Sequence, residues 1–228
     1  MLDPNALVIQ ILTAGPIFLF SLVFHEYAHA AVAYRLGDRL AAWTGRLTLD
    51  PRPHLDPVGS IFMPMAGIAV GWATSGVGFI FGWAKPVPVN PRDLRNASRD
   101  MAIIALAGPL ANLFLLGVCA FLIRGLVASG VGPDDGLSVV LEMAAFGVYI
   151  NGLLALFNMI PLPPLDGSKV LAFVLGPELG QKLLSFNPGL SLLFLMFLVF
   201  QGYLNKPLWM AVQLGEWLAG TSLVRFLI

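Results

Sequence analysis

Residues 4–29 read PNALVIQILTAGPIFLFSLVFHEYAH, and this stretch decides the class of the protein. No Asp, Glu, Lys or Arg interrupts 4–24, and about 20 such residues suffice to cross a bilayer. The run then passes without a break into His25-Glu26-Tyr27-Ala28-His29. Ionisable groups are costly inside a membrane helix and mark a functional position there.

The same pattern recurs outward along the chain. Charge-free stretches cover 57–84, 101–123, 143–165 and 183–205, while 207–224 is broken by Glu216. Of the 228 residues 11% are charged, against about 25% in a soluble domain. The reading is an all-α polytopic membrane protein with five to six transmembrane helices and the lipid bilayer as its solvent. Met1-Leu2-Asp3-Pro4 places no basic region before the apolar run, so a cleavable signal is not expected. A formal net charge of zero argues against nucleic acid as a partner, and the lone Cys119 excludes a disulfide framework within the chain.

Charge sets the sidedness. Eight of the 13 Lys and Arg residues fall between 35 and 99, whereas 125–138 carries Asp134 and Asp135. The positive-inside rule puts 35–56 and 85–99 in the cytosol and 125–138 outside. A single crossing by 57–84 would leave its ends on opposite sides, so this glycine-rich stretch is expected to be re-entrant or a tight hairpin. Arg46-Leu47-Thr48-Leu49-Asp50 alternates like a half-exposed strand. Prolines at 86, 88 and 91 make Lys85–Pro91 an edge or polyproline-like run. A small β/extended re-entrant element is thus expected between the first helix and residue 99. Helices are expected over about 6–36, with a kink at Pro16, and over about 100–123, 139–160, 186–204 and 207–225. The whole of 1–228 reads as one domain.

Of three histidines and four glutamates in the chain, two His and one Glu lie within five residues. Helical positions i and i+4 share a face about 6 Å apart along the axis, so His25 and His29 can hold one metal. Glu26, beside the first ligand, can take a proton from water activated there. A catalytic metal of this kind wants a third protein ligand and an open position. No Gly-x-x-His follows, and no Glu occurs between Glu26 and Glu142. Asp166 is the candidate, carried past the helix-ending Pro161, Pro163 and Pro164 towards the cytosolic level of the histidines. A simple Asp166-Gly167 turn is the other reading of those residues. His54, between two Asp-Pro pairs, is read as a substrate-positioning or gating residue rather than a fourth ligand. Asn112 and Asn151 are read as interhelical hydrogen-bond residues.

The set His25-Glu26-Tyr27-Ala28-His29, Gly108-Pro109-Leu110-Ala111-Asn112, Asn158-x-x-Pro161 and Leu165-Asp166-Gly167 resembles the site-2 protease family of intramembrane metalloproteases, in a minimal form without a PDZ domain. The resemblance covers about 8–36 and 100–170, the catalytic core. It implies that His25, His29 and Asp166 bind Zn2+ and that Glu26 activates water. It also implies that Asn158 lies beside the metal to steady a developing oxyanion. The implied activity is hydrolysis of peptide bonds in or near transmembrane segments of protein substrates, in regulated intramembrane proteolysis. The implied location is the cell (inner or cytoplasmic) membrane, multi-pass, with the site towards the cytosol. Extended edges at 46–50 or 85–91 could receive an unwound substrate by strand addition. Two rivals use the same residues. A metal transporter would be expected to show paired broken helices in two halves, which are not visible. A catalytically silent helix-binding relative would be free to lose Glu26.

Overall fold

In lipid a backbone must satisfy its own hydrogen bonds, so long apolar runs become helices. The computed structural model describes residues 4–75, 82–132, 134–203 and 205–226. Its helices are α1 Pro4–Leu36, α2 Leu40–Trp43, α3 Met63–Ser75, α4 Ala97–Ala128, α5 Ser138–Asn158, α6 Asp166–Leu184, α7 Pro188–Phe200 and α8 Asn205–Ala219. Three stretches are long and apolar enough to cross a membrane: Ile11–Leu36, Ala97–Ala128 and Ser138–Asn158. The central one, α4, touches α1, α5, α6 and α8.

Helix ends follow local chemistry. α1 continues through Pro16 as one helix and stops at Gly37, whose φ of 112° only glycine adopts readily. α4 starts in a reciprocal cap: the Asn96 side chain accepts from Arg99 N, and Asp100 Oδ2 accepts from Asn96 N. The helices approach closely through small residues. A Cβ on Gly147 of α5 would strike Cys119 Sγ of α4, and one on Gly215 of α8 would strike Val148 of α5. Leu116, Ala120 and Ile123 of α4 pack there with Leu141, Ala145 and Val148 of α5. A second core joins Ala14, Phe18 and Leu22 of α1 to Ile68 and Ile150.

Several expectations change. Among the described residues the structure has three helices both long and apolar enough to span, not five or six. α7 and α8 contain 13 and 15 residues, about 20 Å and 22 Å at 1.5 Å per residue, short of a hydrocarbon core of about 30 Å. No strand forms among the described residues, so the β part of the expected element is replaced. At 46–50 local bonds win over a ladder: Asp50 N donates to Thr48 Oγ1, and Arg46 turns inward to the Lys85 carbonyl. Residues 57–75 are a π-helical turn, Pro57–Phe62, followed by α3. The chain nevertheless comes back on itself, because Trp83 N donates to Gly59 O and Ser60 Oγ to Trp83 O. Residues 76–81 lie outside the described residues. Finally, α6 was not expected. It begins at Asp166, whose carboxylate suits the positive end of a helix, and it breaks at Gly176 (φ 80°) before Pro177.

Candidate metal centre

The site begins with one helical turn of α1. His25 and His29 are both buried against α4. The facing turn of α4 is cut to receive them, since a Cβ on Gly108 would collide with the Nε2 atoms of both imidazoles. The turns of α4 before and after Gly108 supply the bonds that orient them. His25 Nδ1 lies 2.6 Å from Asn112 Oδ1, and His29 Nδ1 lies 2.7 Å from the Ile104 carbonyl.

Those partners decide the tautomers. Asn112 Nδ2 faces the Ser21 carbonyl and Asn151 Oδ1, so only its oxygen can face His25. Asn151 in turn donates to Ser21 Oγ and to the Gly147 carbonyl. Asn112, Asn151 and Ser21 are each at most 1% exposed, so this chain is dry and fully satisfied. Both histidines therefore carry a proton on Nδ1 and turn the Nε2 lone pair inward.

Asp166 completes the triangle. Its Oδ2 lies 3.3 Å from His25 Nε2 and 3.1 Å from His29 Nε2, which are 3.0 Å from each other. Tetrahedral ligands at zinc distances of about 2.0–2.1 Å would be separated by about 3.3 Å, so one ion fits. Three acceptor atoms converging on one point, with both Nδ1 hydrogens committed elsewhere, require a positive charge among them. Burial pushes the Asp166 carboxyl up, and the Lys169 ammonium beside it pulls it down. Its other oxygen, Oδ1, takes the Lys169 ammonium at 2.8 Å. Among the described residues His25, His29 and Asp166 are the group able to hold a metal ion.

The other expected residues fall as follows. Glu26 is half-buried, and its Oε2 accepts from Val87 N at 2.8 Å. Asn158 ends α5, with Nδ2 donating to the Leu154 carbonyl, which leaves that amide one further hydrogen. His54 is buried but not among the ligands; Nε2 bonds the Thr48 carbonyl, and its own carbonyl accepts from Lys85 N. Gly167 is not a turn glycine. It sits in α6, where a Cβ would strike the Met159 and Ile160 carbonyl oxygens, so it lets Asp166 approach. Ser21, Ile104, Lys169 and Val87 were not anticipated as site residues, and Gly108 was noted for its motif but not for the room it gives the imidazoles. The i, i+4 spacing of Gly108 and Asn112 was the available signal for two of the α4 contacts.

The chain is similar to proteins carrying a metalloprotease name. It is 37% identical over 166 residues to "Putative zinc metalloprotease YwhC" of Bacillus subtilis, covering 72% of this chain and 70% of that protein. It is 35% identical over 188 residues to "Putative zinc metalloprotease Rip2" of Mycobacterium tuberculosis, covering 82% of this chain and 66% of that protein. A shorter match, 44% over 68 residues, is to "Putative zinc metalloprotease MJ0611" of Methanocaldococcus jannaschii, covering 30% of this chain and 31% of that protein. No family model and no solved structure matches the chain.

Proposed function

Because the chain belongs to the family of these zinc metalloproteases, the site-2 proteases of its motifs, we propose that it is an intramembrane zinc endopeptidase acting on transmembrane segments of other proteins. The observation that carries this reading is the convergence of His25 Nε2, His29 Nε2 and Asp166 Oδ2, with Glu26 next to His25 on α1. Zinc bound there would polarise the scissile carbonyl and acidify a water molecule. Glu26 accepts the proton of the attacking water and delivers it to the leaving amine. Asn112 and Ile104 keep the two imidazoles turned inward, and Lys169 leaves Asp166 one oxygen for the ion. Asn158 is the candidate donor to the oxyanion through its remaining amide hydrogen. The basic loops 35–56 and 85–99 support a cytosolic site in the cell membrane, with regulated intramembrane proteolysis as the role.

The test is cleavage of a model transmembrane substrate by the purified protein and by Glu26→Gln, with bound zinc measured in both. The expected result is cleavage by the unmodified protein and a dead variant that still binds about one zinc. Metal flux through vesicles that depends on the same residues, with no cleavage of any membrane substrate, would replace the protease by a transporter.

A further inference from the structure

Residues Lys85-Pro86-Val87-Pro88-Val89-Asn90 form a strap that crosses from the returning end of the 57–84 stretch to the end of α1. Prolines have no amide hydrogen, so the strap has donors only at Lys85, Val87, Val89 and Asn90. Three of the four are spent within the chain. Lys85 N donates to the His54 carbonyl, Val87 N to Glu26 Oε2, and Asn90 N to Asp38 Oδ2. The Lys85 end is held twice, because its carbonyl also takes Arg46 Nη1, and at the other end Asp38, fully buried, is itself fixed by accepting from Leu40 N.

The distribution of these bonds tells which partner holds which. Anchored at Lys85 and Asn90, with φ fixed at Pro86 and Pro88, the strap keeps its course without the middle bond. Glu26 by contrast ends a long flexible side chain on α1, whose ordering costs entropy. The bond from Val87 therefore places the carboxylate rather than the strap. It occupies Oε2 and leaves Oε1 for the proton of water. Taken with the protease reading, on which it rests, we propose that the Val87 backbone amide is a positioning group for the general base, and that the anchors at Asp38 and His54 set its place. The spent donors also leave Val89 N as the one amide in 85–90 with which this edge could receive a substrate strand.

Hydrogen exchange on the full chain in nanodiscs reads the contact directly, because Val87 supplies the only amide hydrogen in Pro86-Val87-Pro88. In Glu26→Ala, Val87 exchange should rise by about tenfold or more while Lys85 and Asn90 stay protected; unchanged Val87 exchange overturns the proposal. Kinetics read the consequence. With zinc content equal, kcat of Val87→Pro should fall about tenfold or more below that of Val87→Ala, which keeps the amide, with KM within about twofold. Equal kcat in the two variants overturns the proposal. If the unmodified protein cuts no substrate but Val87 exchange responds to Glu26→Ala, the protease reading fails while the hold of the strap on Glu26 stands.

Discussion

Each Nε2 of the candidate metal triangle is aimed by a residue outside that triangle. Asn112→Ala would leave His25 Nδ1 without its acceptor and Asn151 Oδ1 without its donor, in a fully buried setting. Zinc affinity, measured by competition with a chelator, is expected to fall about 10–100-fold, the usual cost of losing such a partner. An unchanged affinity would mean that packing alone orients the ring. Gly108→Ala acts by volume instead, since the new methyl occupies the space of both imidazoles. We expect loss of bound zinc with the helix content kept, read by metal analysis and circular dichroism. Neither effect was visible in the residue types, because an Asn or a Gly in an apolar helix has many uses until its neighbour is known.

At the scale of elements, the joints hold the site's parts in register. Asp38 links the end of α1 to the strap through two backbone amides and is wholly buried. Asp38→Ala would strand both donors. About 1–3 kcal/mol of stability should be lost per buried group left unpaired, seen as a lower melting temperature in detergent. A melting temperature within error of the unmodified protein would place the Asn90 amide in water rather than on Asp38. α6 shows why some elements escaped sequence reading. Three prolines within 161–164 announce an end to α5, but they do not say that Asp166 starts a new helix. A first-turn Asp, with Lys169 three residues on, is the local signal of that start.

For the whole molecule, the positive-inside argument makes a sidedness prediction. With Cys119 replaced by Ala, single cysteines at Arg52 and Arg95 should react with an impermeant thiol reagent only from the cytosolic face, and one at Asp135 only from the outer face. Labelling of positions 52 and 95 from opposite faces would mean that 57–84 crosses once. The bond between Gly59 and Trp83 supports the former outcome. What the sequence by itself determined was whatever depends on short range. A bilayer's thickness demands long charge-free runs, and the 3.6-residue helical repeat places His25 and His29 on one face. Only the tertiary structure decided how distant pieces meet: Asp166 closing the ligand triangle, Asn112 and Asn151 reaching back to α1, and Val87 finding Glu26. Those contacts join residues 61 to 141 positions apart. They are set by how α4 lies against α1, α5 and α6, a choice made by close approach at a few glycines and by hydrogen bonding among buried polar groups, not by any local preference of the chain.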